Sequence, residues 1–193
     1  MEKWRILRSK YVLNKRWAKV RQDTCLLPSG MVVDDYFIWE GGDFAMIFGL
    51  TKENKVVLVR QYKHGAQEIV IELPAGLIEA SDGNPQAAAA RELREETGYA
   101  ADDYEYLGNL LVSSAKATTM AHLYLATGLS QVADPEPDSQ ESVEPLHVSL
   151  PELVQMIDTG RIHDVNSIAT IFLALRRQGY LVLKENGPNS IEV

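Results

Sequence analysis

The chain has 193 residues, enough to bury one core of ordinary size, and its 19 basic and 27 acidic side chains give a formal charge of −8 and a pI near 5.0. That balance excludes a binder of nucleic-acid polymers that works by neutralising phosphates, and the single cysteine, Cys25, excludes an intrachain disulfide or a cysteine-based metal site. No apolar run approaches the ~20 residues of a membrane span, and the opening MEKWRILRSK lacks the apolar stretch of a secretory signal, so a cytoplasmic protein is expected.

In chain order, residues 1–45 read as short strands joined by turns. Alternation from Arg5 to Lys10 leads to a turn at Asn14-Lys15 and a second strand from Trp17. Pro28-Ser29-Gly30 is a turn, Met31–Trp39 is rich in β-formers, and Gly41-Gly42 breaks that run. Phe44–Leu50 and Val56–Gln61 then flank a hairpin tip at Glu53-Asn54, and Glu68–Leu73 is an apolar stretch stopped by Pro74-Ala75-Gly76.

The period changes at Pro85. From there to Thr97 no β-branched residue occurs before the end and Ala87–Ala90 are four alanines in a row, which predicts a helix with Pro85 in its first turn and Gly98 just past its end. Strands are predicted at Tyr104–Val112 and His122–Ala126, with a surface loop at Asp134–Asp138. Ser149 and Glu152 have capping-box spacing for a helix ending near Gly160, and a last helix carries the stripe Ile168, Ile171, Phe172, Leu175. The class is α+β, divided into a strand-rich region 1–45, a main domain 46–183 and a flexible tail 184–193.

The chemistry concentrates on the central helix. At about 100° per residue, Glu92, Glu95 and Glu96 share one narrow arc, while Ala89, Ala90 and Leu93 point the other way. Like charges at i, i+4 cost a helix a few tenths of a kcal/mol, so the arc is either a solvated acidic face relieved by Arg91 and Arg94 or a site for a hard cation. The four histidines are scattered with no ligand pair among them, and Ser113-Ser114 has no triad partner at recognisable spacing.

The longer string decides between the two. Leu73-Pro74-Ala75-Gly76-Leu77-Ile78-Glu79, a loop, and Arg91-Glu92-Leu93-Arg94-Glu95-Glu96-Thr97-Gly98-Tyr99 resemble the Nudix box: Gly, five residues, Glu, seven residues, then Arg-Glu-aliphatic-any-Glu-Glu-any-Gly. The chain departs from it in the loop, where Gly76 to Arg91 is one residue longer than the family spacing. The loop glutamate of relatives, which supports the loop and the box arginine, falls on Asp82 counted from Gly76 or on Gly83 counted from Arg91. Asp82 is expected to substitute imperfectly.

The resemblance implies an α/β/α sandwich with a mixed central sheet and a hydrolase that cuts pyrophosphates with Mg²⁺, or Mn²⁺ in its place. Glu92 and Glu96 would be direct metal ligands, Glu95 a direct or water-mediated one, and the Ala75 carbonyl a backbone ligand, with Arg91 bracing the carboxylates. Val59-Arg60-Gln61-Tyr62-Lys63 and Glu72-Leu73-Pro74-Ala75-Gly76 look like the ADP-ribose and nucleotide-sugar branch. There Arg60 or Lys63 would meet substrate phosphates, and Glu72 would be either a hydrogen-bonding residue or half of a structural ion pair. A catalytic glutamate on a later loop would be Glu141, with Glu144 second. Trp4 and Trp17 would stack on the base from different subunits of a homodimer, unless they serve ordinary packing. The proline usual after the box in the ADP-ribose group is missing, since none occurs between Pro85 and Pro135. Other nucleoside diphosphate derivatives therefore stay open, as does a non-catalytic nucleotide-binding module.

Overall fold

The computed structural model describes residues 1–137, 142–183 and 191–192, and the chain divides into two units. The first comprises Met1–Asp43 with Leu111–Met120. Its three-stranded antiparallel sheet has the order β1 (Arg5–Lys15), β2 (Ala18–Leu26), β3 (Val32–Trp39). Every residue of β1 is exposed, whereas β2 buries Asp23 and Cys25. Segment 111–120 was expected inside the main domain, yet it is tied to the end of β3. Trp39 N–H donates to Lys116 O at 2.7 Å, Thr118 N–H to Trp39 O at 3.1 Å, and the Tyr36 hydroxyl to Ala115 O at 2.6 Å.

The second unit, Phe44–Leu110 with Ala121–Val193, is built on a mixed sheet. Its path is β11 (Val143–Ser149), β5 (Lys55–Lys63), β4 (Phe44–Thr51), β10 (Met120–Gln131), β8 (Tyr99–Ala100). Strands β6 (Glu68–Glu72), β7 (Ala75–Leu77) and β9 (Asp103–Leu111) pair with β5, β4 and β10. The β4–β10 ladder is parallel, whereas β10–β8, β11–β5, β4–β5, β4–β7 and β5–β6 are antiparallel. The central strands are continuous apolar runs, with Ala45, Ile47, Phe48 and Val56–Val59 wholly buried, as expected of strands covered on both faces.

Among the described residues three helices supply the cover: α1 (Pro85–Thr97), α2 (Leu150–Asp158) and α3 (Val165–Arg177). Alternation along β4 shows the layering. Ala45 and Ile47 share a cluster with Ala88, Ala89 and Leu93 of α1, while Met46, pointing the other way, accepts a hydrogen bond from Thr170 of α3. The α1 boundaries are those predicted: Asn84 caps it by accepting the Ala87 N–H at 2.9 Å, and Gly98 closes it at φ +76°, where a Cβ would also lie 2.2 Å from the Ala133 carbonyl oxygen. Ser149 caps α2 through the Glu152 N–H, and Asp164 caps α3.

Several elements differ from the sequence reading. Strand β7 forms directly on the Pro74–Gly76 turn signal, and β11 takes in Glu144, which was expected on a loop. The buried stripe of α3 is Ser167, Thr170, Ile171, Ala174 and Leu175, whereas Phe172 is exposed. Ser167 and Thr170 can go inside because both have hydrogen-bond partners. Ile191–Glu192, assigned to a free tail, pairs with Val182–Leu183. Among the described residues no helix is long and apolar enough to cross a membrane.

Candidate active site

Helix α1 turns Leu93 and the alanines into the core and leaves the other side of its last two turns to Arg91, Glu92, Glu95 and Glu96. These acids do not sit on a uniformly solvated face. Glu96 is 2 % exposed, and its Oε2 accepts the backbone N–H of Ala75 at 2.9 Å. Glu92 lies against Gly76, where a Cβ would fall 2.0 Å from the carboxylate carbon. That contact is why the loop carries glycine there: its φ is ordinary, and what matters is the space a side chain would take. Two backbone neighbours on β7 thus hold two of the three glutamates, and β7 itself is fixed by pairing with Phe44–Met46 of β4.

Arg91 orders the rest. One nitrogen, Nη1, donates to Glu92 at 2.7 Å and to Glu95 at 2.9 Å; Nη2 donates to the Leu77 carbonyl at 2.9 Å. Nε and Nη2 also grip both oxygens of Asp82, at 2.8 and 3.0 Å. Asp82, foremost among these partners, and then Glu92 and Glu95 raise the guanidinium pKa above its ordinary value, so Arg91 is a permanent cation. Conversely, Arg91 and the Glu79 N–H, which donates to Asp82 at 2.7 Å, lower the Asp82 pKa. Of the two positions left open by the loop spacing, Asp82 therefore meets the arginine. The extra residue is taken up at Gly83, with φ +76°, immediately before the helix cap. The shorter acid still makes a two-point contact with the guanidinium.

A second group stands beside Glu96. Gln61 on β5, 5 % exposed, donates from Nε2 to Glu72 at 2.8 Å and reaches Glu96 Oε1 at 3.5 Å. Lys63 pairs with the same Glu72 oxygen at 2.9 Å, so Glu72 is both a hydrogen-bonding residue and half of an ion pair. Gln61 was quoted in the sequence motif without a role. The only signal for it was a polar residue at an inward position of an apolar strand.

Arg60 and Glu144 pair with each other rather than with this cluster. Arg60 points from the same strand to Glu144, its cross-strand partner on β11, with Nε donating at 3.0 Å. Both are exposed, and Glu144 is thus a strand residue with a partner of its own. Glu141 falls outside the described residues. Trp4 and Trp17 belong to the first unit. Trp4 packs edge-on to Tyr36 at 5.4 Å, and Trp17, 68 % exposed, lies under the Arg16 guanidinium at the β1–β2 turn.

Whether these residues suit a divalent cation is a question of donor chemistry. Glu92, Glu95 and Glu96 offer hard anionic oxygens from three positions on one helix face, the type Mg²⁺ and Mn²⁺ prefer, and the set fits in kind. Among the described residues no three acidic, histidine or cysteine side chains converge closely enough to enclose an ion by themselves. Mg²⁺ commonly binds through one or two carboxylates and completes its shell with water and phosphate oxygen.

Comparison with known proteins fits this geometry. Residues 43–170 match the NUDIX domain family, and residues 4–39 match the nucleoside diphosphate sugar hydrolase N-terminal domain. The chain is 32% identical to a protein named methanol dehydrogenase activator from Bacillus methanolicus, over 86% of this chain and 89% of that one. It is 29% identical to an ADP-ribose pyrophosphatase from Bacillus subtilis, over 82% of each. A crystal structure of an ADP compounds hydrolase superposes with a TM-score of 0.80 at 22% identity, covering 93% of this chain and 97% of that one, which establishes a shared fold.

Proposed function

Since the chain belongs to the Nudix hydrolase family, whose members use divalent cations, we propose that it is a Mg²⁺-dependent pyrophosphatase of nucleoside diphosphate sugars, with ADP-ribose the leading substrate. Water would add at one phosphorus of the pyrophosphate and the bridging P–O bond would break, giving a nucleoside monophosphate and a sugar phosphate. The observation that carries this reading is the Arg91 guanidinium joined at once to Asp82, Glu92 and Glu95, with Glu96 pinned to the Ala75 N–H. A purely solvated acidic face needs no such scaffold. The N-terminal match and the name of the Bacillus subtilis relative support the substrate class.

Each residue then has a task. Glu92, Glu95 and Glu96, with the Ala75 carbonyl, would hold the cation, which supplies positive charge against the pyrophosphate and lowers the pKa of the attacking water. Arg91 keeps the carboxylates in place, and Asp82 keeps Arg91 in place. Lys63 is the better placed of the two basic candidates to meet a phosphate, because its present partner Glu72 shares Gln61 with Glu96. Arg60 stands with Glu144 instead. Glu141 would position the water.

The tryptophans bear on assembly. They lie at opposite ends of the eleven-residue strand β1, which at about 3.3 Å per residue separates them by roughly 33 Å. One chain cannot close both on a single base, so base stacking by the pair requires a homodimer, for which the fully exposed β1 offers a surface. We place the protein in the cytoplasm, where such nucleotides are made and used. Product analysis on ADP-ribose, UDP-glucose, GDP-mannose and NADH tests the substrate assignment. AMP and ribose 5-phosphate from ADP-ribose at the highest kcat/KM is the expected result, and preference for another member of the panel reassigns the substrate.

A further inference from the structure

Outside the Arg91 hub, the second unit carries one buried amide shared between two carboxylates. Gln61 sits near the C-terminal end of β5, opposite Val70 of β6 on one side and Val143 of β11 on the other, so its backbone is held by two ladders. Its side chain reaches Glu72 from β6 and Glu96 from α1 with the same Nε2. Glu96 is thereby addressed at both oxygens: Oε2 by the Ala75 N–H and Oε1 by the Gln61 amide. Donors at both oxygens fix the plane of a carboxylate, which a single donor leaves free to rotate. A neutral donor also suits the place. An acid there would add a third negative charge, and a lysine or arginine would be a second cation competing for the oxygens meant for the metal.

We propose that Gln61 is a positioning residue for Glu96: it sets the carboxylate's orientation, and with it the affinity of the site for a divalent cation, without touching substrate. The inference rests on the reading of Glu96 as a metal ligand. Glu72 belongs to the same device, since its ion pair with Lys63 keeps the shared oxygen, and so the Gln61 amide, in a fixed position.

The test is calorimetric titration of the whole chain with Mg²⁺ alone, together with kcat and KM for ADP-ribose at saturating Mg²⁺, on the wild type, Gln61→Met and Gln61→Asn. Methionine keeps the volume and removes both amide groups; asparagine keeps an amide one methylene too short to span both carboxylates. For both variants we expect Mg²⁺ affinity to fall by roughly 10-fold or more and kcat by a similar factor, with KM for the nucleotide within about twofold of wild type. Orienting partners of metal ligands act in this way, whereas general loosening of the core would raise KM as well. If a variant binds Mg²⁺ as the wild type does, or if KM rises in step with the loss of kcat, the positioning role is wrong while the family reading stands. If the wild type itself neither binds Mg²⁺ nor turns over, the reading of Glu96 as a ligand fails, and this inference with it. Should Gln61→Met not fold, as judged by its thermal transition, Gln61→Asn decides alone.

Discussion

Gly76 and Arg91 show how little freedom the site allows at single residues. A Cβ on residue 76 would lie 2.0 and 2.4 Å from the two carboxylate oxygens of Glu92, so Gly76→Ala must push that side chain aside. We expect kcat to fall by about 10²-fold, the usual consequence of a displacement near 1 Å at a reacting centre, with the thermal midpoint little changed. Unaltered turnover would mean that Glu92 need not stay beside the loop. Arg91 is held by charge as well as by space. Removing its main partner in Asp82→Ala leaves a half-buried guanidinium short of two bonds, and a loss of about 1–3 kcal/mol is expected in chemical denaturation.

At the scale of elements, the loop from β7 to α1 combines a shorter acid with one extra residue. The two compensate: Asp82 reaches Arg91 because the longer loop brings it there, and Gly83 absorbs the surplus with a positive φ. Asp82→Glu alone should therefore overreach and lower kcat by roughly tenfold, while Asp82→Glu combined with deletion of Gly83 restores the family spacing and should recover most of the activity. If the double change is no better than the single one, the two departures are unrelated. The same element shows what the sequence could reveal. Helix α1, its opening proline, its closing glycine and its glutamates were legible because they are set by residues a few positions apart. Gln61, 35 positions from Glu96, and Ser167, which accepts the Leu73 N–H from 94 positions away, act only after β5, β6 and α3 have packed. No local pattern marks such contacts. Strand β7 was hidden for a related reason: its pairing with β4 overrides the turn signal of Pro74-Ala75-Gly76. In α3, reading hydrophobicity alone selected exposed Phe172 over buried Ser167 and Thr170.

For the whole molecule, the acidity that excluded nucleic-acid polymers divides into distinct roles. Some of it is stored in the first unit. Asp23 is buried, which pushes its pKa up, but hydrogen bonds from Arg21 and Ser9 outweigh that and leave it lowered from 3.8. A depressed folded-state value means that ionised Asp23 stabilises the fold above about pH 4, and that this contribution is lost as pH falls through the lowered value. Between pH 5 and pH 3 the thermal midpoint of wild type should therefore drop further than that of Asp23→Asn; equal drops would show that the group does not couple to folding. A homodimer would give a light-scattering mass of twice 21.5 kDa, and a mass near one chain would remove the shared base-stacking site.

A few other acids are those proposed for the site. Glu92, Glu95 and Glu96 would turn part of the net charge of −8 into a seat for a cation, which would let an acidic protein accept an anionic pyrophosphate. The measurement that tests this most directly is the Mg²⁺-dependent turnover of ADP-ribose by Glu96→Gln, a change of one atom in a side chain 2 % exposed, with its thermal transition recorded beside it. A fall in kcat of about 10²-fold or more with folding intact is the predicted result, since the neutral amide offers a much weaker ligand in a position fixed by the Ala75 N–H. A rate near that of wild type would contradict the account.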